Sequence, residues 1–310
     1  MKSSPFHIRA VLRAITVLGL LGGGGATALG LLAPLIPVLE LVNHLRPFLL
    51  LGAGALLALA ALDGSRRLTA AAALFAATTL LLAALPFAYR AAAAEGGGEP
   101  LKVVTLNVWG RNRDVEAVAR FLESERADVV VLQEAPRIQA ALLPRLKATY
   151  PHAYCPDRAC SQAILTRVEP LEVGRENVAP RRPLLVWARI PHGGRTVRVI
   201  GLHFAYPFDP AWQAQHFEWL IGYLGRPEEP TVVAGDFNLT PYSWKLLRLI
   251  HVTGLRAHLV HRFSWPAHRL APFVLIDNVL TTQDLGRIET RIGPPVGSDH
   301  RPVVARIGWR

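Results

Sequence analysis

Cysteine is scarce in this sequence. The chain of 310 residues has two, Cys155 and Cys160, within "CPDRAC". Two thiols alone are too few to build a zinc site. They could close a small disulfide loop in an oxidising compartment or remain free thiols, and the sequence leaves both possibilities open.

Charged side chains are absent from two long stretches near the N-terminus. Ala14–Pro34 and Leu68–Ala88 each offer about 20 uncharged residues, which matches the roughly 30 Å hydrocarbon thickness of a bilayer. We predict that both span a membrane. Phe48–Leu62 is also uncharged, but its length of about 15 residues requires tilt or local thinning of the bilayer. We predict it as a further span.

The basic residues around these stretches predict an orientation. Lys2, Arg9 and Arg13 precede the first stretch, and Arg66 and Arg67 fill the turn between the second and third. The positive-inside rule places both groups in the cytoplasm. Three spans then leave the C-terminal part outside, periplasmic in a Gram-negative bacterium, whereas two spans leave it in the cytoplasm. A cleaved signal peptide is the alternative for the first stretch, but the further apolar segments favour retained helices.

Lysine is scarce as well, so arginine carries most of the net charge of +11. The lysines are Lys2, Lys102, Lys147 and Lys245. The residues after position 100 include 27 basic and 19 acidic side chains, a net charge of +8. This balance favours a phosphate-rich ligand or an anionic membrane surface, although arginine and alanine richness can also reflect genome composition.

Small residues mark a domain boundary. Leucine, alanine and glycine dominate the chain before residue 90, and a mixed polar and apolar texture begins at Leu101. The stretch "AAAAEGGGEP", Ala91–Pro100, lies between the two. We therefore predict a membrane region over residues 1–90, a linker over 91–100 and a globular domain over 101–310.

The globular part combines short apolar runs with helical patterns. Strands are predicted at "LKVVTLNVWG", "ADVVVLQEA", "AILTR", "LLVWARI", "TVRVIGLHF", "TVVAGDFNL", "VLIDNVLTT" and "RPVVARI". Helices are predicted after the capping residue Asp114 and at Ile138–Thr149, Ala211–Leu224 and Ser243–Ile250. Consecutive strands without helices between them imply antiparallel pairs, so the predicted class is a mixed α/β sandwich.

Polar residues gather at the ends of these predicted strands. They are Asn107, Glu134, His203, Asp236, Asn238, Asp277, Asp299 and His300. Taken singly, each has an ordinary explanation as a turn former, a helix cap or a partly buried histidine. Taken together at one loop edge, the carboxylates would repel one another without a cation. The pattern therefore predicts a functional site at that edge.

Six motifs carry a family resemblance. In order they are "TLNVWG", "LQEA", "GLHF", "GDFN", "IDNVL" and "GSDH", and over residues 101–310 they resemble the endonuclease/exonuclease/phosphatase superfamily. With its N-terminal spans the chain is similar to the membrane-anchored bacterial branch. The resemblance implies a four-layer sandwich, in which helices flank two mixed β-sheets, and a divalent-metal phosphodiesterase site at one edge.

The resemblance also implies a cofactor and its ligands. Mg²⁺, or Mn²⁺ in its place, suits the oxygen donors present, since it takes few protein ligands and completes its shell with water and phosphate. Glu134 is the implied main ligand. Asn107 lies beside it, and Asp299 is a further contributor.

Catalytic roles follow from the same resemblance, because diester hydrolysis needs an activated water, charge stabilisation and a proton for the leaving oxygen. Asp236 orients or deprotonates the water, and Asn238 donates to a phosphoryl oxygen. His300, held by Asp277, stabilises the developing charge or shares the base role. His203 resembles the second histidine of the deoxyribonuclease and sphingomyelinase branches, where it can act as general acid.

The sequence leaves the substrate open. Asn278 departs from the histidine or aromatic residue that many relatives carry there, which leaves the subfamily undecided. A nuclease needs arginines along a groove, and loops that could flank the site contain Arg111, Arg113, Arg181, Arg182 and Arg269. A lipid hydrolase needs exposed apolar side chains, which "AYPFDPAW" offers through Tyr206, Phe208 and Trp212.

We predict a membrane-tethered phosphodiesterase of the nuclease type. A phospholipid, sphingomyelin or phosphomonoester hydrolase with the same site is the alternative. A membrane-tethered module that binds a phosphate ligand without turnover is the alternative from another class. No protein partner is predicted.

Overall fold

The computed structural model describes residues 5–136, 138–156, 160–177, 184–260, 262–268 and 271–310. The chain divides into two compact units. The first consists of the residues up to Ala88 together with Tyr242–Lys245, and the second consists of Tyr89–Pro241 and Leu246–Arg310.

The first unit is helical. Its helices are α1 (Pro5–Leu31), α2 (Glu40–Asn43), α3 (Arg46–Asp63) and α4 (Arg66–Ala84). Three stretches are long and apolar enough to cross a membrane: Ile8–Leu31, Arg46–Asp63 and Arg66–Tyr89. Leu18, Leu51 and Leu74 on these helices are 69%, 71% and 70% exposed. Such apolar surface suits contact with lipid and is unusual in water.

Helix α3 is longer than its uncharged core predicts. It begins at Arg46 with proline in its first turn, and it ends at Asp63 before Gly64, which adopts a left-handed φ of +79°. The charged terminal residues extend the helix to 18 residues. The segment predicted as a tilted span therefore reaches the usual length range for crossing a bilayer.

The second unit contains two six-stranded sheets in the described residues. The first, in the order β11-β12-β1-β2-β4-β3, comprises β1 (Leu101–Asn107), β2 (Val129–Gln133), β3 (His152–Tyr154), β4 (Gln162–Thr166), β11 (Leu285–Ile292) and β12 (Val303–Trp309). The second, in the order β5-β6-β7-β8-β10-β9, comprises β5 (Glu172–Asn177), β6 (Leu184–His192), β7 (Arg195–His203), β8 (Thr231–Asp236), β9 (Arg256–Ala257) and β10 (Asp277–Thr281). Both sheets are mixed, since β1–β2 and β7–β8 are parallel and their other neighbours pair antiparallel.

Alternating side chains of the strands build the layers. In β1, Leu101 and Val103 join the core between the two sheets, whereas Val104 and Leu106 face an outer core. The outer core of the first sheet is covered by α5 (Val115–Glu125) and α6 (Gln139–Leu146), and that of the second by α7 (Pro210–Leu224) and α8 (Trp244–Thr253). The predicted four-layer sandwich of two mixed sheets flanked by helices is confirmed.

The residues predicted as a linker follow the edges of the sheets. The amide of Ala91 donates to Ala257 at 2.8 Å, that of Ala94 to Arg287 at 3.1 Å, and that of Gly96 to Trp309 at 2.9 Å. Residues 91–96 are therefore hydrogen-bonded to the edges of the sheets.

The two cysteines form a disulfide. Cys155 and Cys160 are joined with an S–S distance of 2.02 Å, which decides between the two possibilities that the sequence leaves open. The bond closes the connection that leads into β4, next to the end of β2. Its position matters because Ser161, the residue after Cys160, accepts a hydrogen bond from the amide of Glu134 at 2.8 Å.

Candidate active site

Four strand ends carry polar side chains into the space between the sheets. Side chains alternate along a strand, so residues separated by an even number of positions share a face. Asn107, His203, Asp236 and Asp277 are in phase with inter-sheet core residues of their own strands, which are Val103, Val199, Ala234 and Val279 respectively. The alternation that builds the core therefore also points these four residues inward at its end.

Strand register brings three of them side by side. β7 and β8 are parallel, and His203 lies opposite Asp236. β10 runs antiparallel to β8, so its first residue, Asp277, also lies opposite Asp236. In the other sheet β1 and β2 are parallel and end together, with Asn107 opposite Gln133 and Glu134 next along the chain.

Glu134 is held by backbone groups on both sides. Its own φ is +52°, a left-handed conformation that turns the chain sharply as it leaves β2. Oε2 accepts a hydrogen bond from the amide of Gly110 at 3.1 Å. Burial raises the pKa of Glu134, but the facing His203 and the hydrogen bonds from Gly110 and Asn107 outweigh it and lower the pKa. Glu134 is therefore an ionised carboxylate at neutral pH.

Asn107 bridges two carboxylates. Its Nδ2 donates to Glu134 Oε1 at 3.2 Å and to Asp236 Oδ2 at 3.0 Å, while its Oδ1 accepts from the amide of Trp109 at 2.9 Å. In this arrangement Asn107 acts as a donor between Glu134 and Asp236. Ligation of a cation through Oδ1 therefore requires rotation of the side-chain amide.

His300 is clamped against a buried aspartate. Its Nδ1 lies 2.9 Å from Asp277 Oδ2, and its Nε2 lies 3.7 Å from Asp236 Oδ2. Burial lowers the pKa of His300, but the charges of Asp277 and Asp236 outweigh it and raise the pKa to about 10. The ring is therefore an imidazolium at neutral pH, with Nε2 turned toward the other site residues.

Asp236 stands at the centre of the group. Its Oδ1 accepts from the amide of Asn238 at 2.8 Å, and Asn238 itself has a left-handed φ of +51°. Burial raises the pKa of Asp236, which makes it a stronger base than a solvated carboxylate. Asn238 Nδ2 donates one hydrogen to the carbonyl of Phe204 at 2.8 Å, and an amide nitrogen has two hydrogens to give.

His203 faces the same carboxylates from β7. Its Nε2 lies 3.6 Å from both Glu134 Oε1 and Asp236 Oδ2. This nitrogen is buried and has no hydrogen-bond partner among the residues that the structure describes. The structure therefore assembles all eight predicted site residues, Asn238 through its backbone contact with Asp236 and Asp299 beside His300.

Tyr206, which the sequence offers as an exposed side chain for the lipid-hydrolase alternative, contacts the site. Its hydroxyl donates to Glu134 Oε1 at 3.4 Å. Burial raises the pKa of Tyr206 to about 12, helped by the negative charge of Glu134. The other two aromatic residues of "AYPFDPAW" lie elsewhere. Phe208 is 80% exposed, and Trp212 packs against His216 with ring centroids 4.9 Å apart.

Two of the five arginines predicted to flank the site lie among the described residues. Arg111 and Arg113 are exposed in the loop after β1. Arg181, Arg182 and Arg269 lie outside the described residues. Asn278, the departure from the family pattern, is buried and donates to the carbonyls of Leu239 at 2.9 Å and Ile276 at 3.1 Å, so it fixes the two loops that carry site residues.

The donor set fits a hard divalent cation. Asp299 Oδ1 is buried without a hydrogen-bond partner in the described part of the chain, and burial raises the pKa of this carboxyl. The side chains of Glu134 and Asp299 remain 24% and 18% exposed, which leaves room for the waters that Mg²⁺ retains. A second set, Asp236, Asp277 and His300, has its ligand atoms within 4.8 Å of one another. There the hydrogen bond from His300 to Asp277 already uses one donor and one acceptor.

A buried group of acids, amides and histidines at one edge of a four-layer sandwich defines a hydrolase-type site. A model of the Endonuclease/Exonuclease/phosphatase family matches residues 104–300. The chain belongs to this family, whose members are generally phosphoric ester hydrolases and typically use divalent metals. A search of curated protein sequences finds no match.

Solved structures share the fold at low sequence identity. Truncated Caenorhabditis elegans TDP2 is 15% identical with a TM-score of 0.57, over 67% of this chain and 97% of that one. D. rerio TDP2 complexed with a single-strand DNA product is 17% identical with a TM-score of 0.57, over 68% of this chain and 100% of that one. An endonuclease/exonuclease/phosphatase family protein from Leptotrichia buccalis is 14% identical with a TM-score of 0.56, over 67% and 100%. At these identities the likeness establishes the fold.

Proposed function

We propose that this chain is a membrane-anchored, divalent-metal-dependent phosphodiester hydrolase of the nuclease type. The observation that carries the proposal is the bridge that Asn107 makes between Glu134 and Asp236 at 3.2 and 3.0 Å, with His203 and His300 facing the same carboxylates. Residues from both sheets thus meet within one small volume. It combines carboxylates that could hold a metal, the proposed base Asp236 and the imidazolium of His300.

Glu134 and Asp299 would hold the cation. A bound Mg²⁺ or Mn²⁺ supplies Lewis-acid polarisation of the phosphoryl oxygens and neutralises part of their charge. Asn107 fixes Glu134 through the hydrogen bond from Nδ2 and keeps the ligand and the base at a constant separation.

Asp236 is the proposed base for the attacking water. Its raised pKa favours proton uptake, and two donors, Asn107 and the amide of Asn238, fix its carboxylate plane. The second N–H of Asn238 is the proposed donor to a phosphoryl oxygen. Its first N–H is anchored on Phe204 and orients the amide.

The two histidines serve the charge that develops on the phosphate. His300 carries a proton on Nε2 that it can donate to a phosphoryl oxygen, while Asp277 holds Nδ1 at 2.9 Å. Removal of that oxygen charge by a fixed imidazolium lowers the barrier without reorganisation. His203 is the proposed general acid for the leaving oxygen, because its Nε2 is turned to the same centre and has no other hydrogen-bond partner among the described residues.

The proposal includes a location. Three apolar helices and the basic residues Arg66 and Arg67 between the second and third favour an outward-facing second unit. The Cys155–Cys160 disulfide supports an oxidising compartment, which in a Gram-negative bacterium is the periplasm. Alkaline phosphatase fused to the C-terminus should be active in intact cells, and an inactive but expressed fusion would contradict this placement.

The test of the proposed function uses the full chain in detergent, because residues 91–96 bond to the sheets and truncation at Leu101 would remove them. Plasmid, single-stranded oligonucleotide, phospholipid vesicles and inositol phosphates are offered with Mg²⁺, with Mn²⁺ and with EDTA. We expect metal-dependent cleavage of a nucleic-acid diester that Asp236→Asn abolishes. Turnover of lipid or monoester alone supports the alternative hydrolase. Phosphate-ligand binding without any turnover supports the binding module.

One observation favours the lipid alternative as a second candidate. Phe208 follows the end of β7 by a short loop and is 80% exposed. Such an apolar side chain could enter a bilayer next to the site. The substrate panel separates the two candidates directly.

A further inference from the structure

We propose that Trp109 and His268 form a stacking platform for one base of a single-stranded nucleic acid, with Arg111 and Arg113 binding the adjoining phosphates. The inference deepens the proposed function and rests on it for the reaction, but the binding it describes is measured separately. It commits the site to a polynucleotide rather than to a lipid.

The two rings of the platform are paired and fixed to the site. Their centroids lie 4.9 Å apart with an interplanar angle of 39°. Trp109 has a left-handed φ of +67°, and its amide donates to Asn107 Oδ1 at 2.9 Å. That backbone conformation is strained for a residue other than glycine. It persists only where the surrounding structure imposes it. Trp109 therefore lies in a turn whose next residue, Gly110, donates its amide to Glu134 at 3.1 Å.

The opposite ring is fixed to a second site residue. Ala267, the neighbour of His268, donates its amide to the carbonyl of Asp299 at 2.7 Å. The Trp265 side chain hydrogen-bonds to the Asp299 carboxylate. The ring pair therefore joins the loop after Asn107 to the loop that contacts Asp299, and these two loops adjoin the proposed cation ligands Glu134 and Asp299.

The cations of the platform lie on the same loop as Trp109. Arg111 and Arg113 are exposed and form no ion pair with any residue that the structure describes. Asn112 between them is 2% exposed, donates to the carbonyl of Val296 at 3.2 Å and accepts from the amide of Asp114 at 2.9 Å. The buried asparagine pins the loop and leaves the two guanidinium groups on the outside.

This combination selects single-stranded nucleic acid. Base stacking on aromatic rings together with cations along the backbone is the way proteins hold single strands, and every base offers a ring face. Tryptophan beside arginine also occurs at lipid surfaces, but a lipid offers no base, so dependence of binding on a single base distinguishes the two. The bases of a single strand can also unstack and pack on a protein ring, whereas the bases of a duplex stay stacked and paired.

The test measures binding of the full chain in detergent with Asp236→Asn to stop turnover and with Mg²⁺ present. The probes are a fluorescent oligothymidine and matched oligomers with one abasic position at each nucleotide in turn. We expect one abasic position to weaken binding by about tenfold, as the loss of one stacked base does. Trp109→Leu should weaken binding of the unmodified oligomer by a similar factor. It should not further weaken binding of the oligomer whose abasic position already reduces affinity. Trp109→Phe, which keeps a ring, should bind nearly as the parent does.

Matched controls share the chemistry but not the place. Trp219→Leu removes an indole that also stacks with a centroid separation of 4.9 Å, on Tyr223 of helix α7. Arg226→Ala removes an exposed arginine elsewhere on the surface. Arg111→Ala and Arg113→Ala should each reduce the slope of log affinity against log salt by about 0.7, as expected for one phosphate contact on a single strand. Neither Trp219→Leu nor Arg226→Ala should change binding of the oligomers.

Three results overturn the inference. They are equal affinity for parent and abasic oligomers, equal loss of both on Trp109→Leu, and a larger effect of Trp109→Leu on vesicle binding than on oligomer binding. Failure of the proposed function is separate. If wild type cleaves no diester but base-dependent binding holds, the function fails and the platform stands. If diesters are cleaved and neither Trp109→Leu nor the abasic positions matter, only the platform fails.

Discussion

The hydroxyl of Ser298 donates a hydrogen bond to the carbonyl oxygen of Asn107 at 2.7 Å across 191 positions of sequence. The hydroxyl oxygen of Ser298 in turn accepts a hydrogen bond from the amide of His300 at 3.0 Å, and Ser298 is 1% exposed. One buried hydroxyl thus ties the end of β1, with its bridging asparagine, to the segment that carries Asp299 and His300. It explains why a serine precedes this pair in "GSDH".

Replacement of that serine is the first prediction. Ser298→Ala leaves the Asn107 carbonyl and the His300 amide without their partner, at a cost of about 1–3 kcal/mol in the free energy of unfolding. We also expect a lower kcat, because both ends of the site lose a fixed point. Thermal and denaturant unfolding in detergent measure the stability. Ser124→Ala is the control, since its hydroxyl bonds a carbonyl within helix α5 at 2.8 Å. An unfolding free energy equal to that of the control variant would contradict the role of Ser298.

The charge state of His300 gives a pH prediction. Its pKa in the folded chain is about 10, above the ordinary value of 6.5, because Asp277 and Asp236 face the ring. A raised pKa contributes stability that is fully present below pH 6.5 and is lost as the pH rises through 10. In EDTA, the difference in unfolding free energy between wild type and His300→Asn should therefore shrink over that window. A constant difference across the window would show that the ring is neutral in the fold.

Most of the fold follows from patterns that are visible in the sequence. The strands that these patterns do not predict are all edge strands. β3, β5, β9 and β11 are the outermost strands of the two sheets. β5 reads "EVGREN" and has no fully buried residue, because an edge strand packs little and its side chains meet water. Strands of this kind carry no continuous apolar run, so periodicity cannot find them.

The site residues are identifiable from the sequence because each lies at or near one end of an apolar strand, whereas their hydrogen bonds are not. The phase of Asn107 and Asp236 with the inter-sheet core follows from alternation alone. The amide orientation of Asn107, the left-handed φ of Glu134 and the inward turn of Tyr206 depend on contacts between segments that are far apart in the chain. Only a folded arrangement contains that information.

Tyr206 supplies a third prediction. Tyr206→Phe keeps the ring but removes the hydroxyl that donates to Glu134 Oε1 at 3.4 Å. Without that donor, the negative charge of Glu134 is less compensated and Oε1 is more available to a cation, so Mn²⁺ should bind more tightly while the fold is retained. A Mn²⁺ titration followed by electron paramagnetic resonance measures this affinity. Phe208→Ala, which removes an exposed ring of the same loop, is the control. Identical Mn²⁺ affinity in Tyr206→Phe and wild type would place the hydroxyl outside the site.

Asp277 supplies a fourth prediction. Asp277→Asn removes the charge that holds His300 Nδ1 at 2.9 Å, so the imidazole loses both its fixed orientation and part of the cause of its raised pKa. We expect kcat to fall about 10²-fold or more, as for loss of a positioned proton donor. The limb of the pH profile that reports on His300 should move to lower pH. A fall in kcat without that move would mean that Asp277 only supports the structure.

The central claim is that Glu134 and its neighbours hold one divalent cation that the hydrolysis requires. The most direct measurement titrates metal-free full chain with Mn²⁺ and follows bound Mn²⁺ by electron paramagnetic resonance and oligonucleotide cleavage in the same samples. We expect the two curves to saturate together in wild type, both to be lost in Glu134→Gln, and Arg226→Ala to leave them unchanged. Cleavage by Glu134→Gln with the Mn²⁺ dependence of wild type would rule out this role of Glu134.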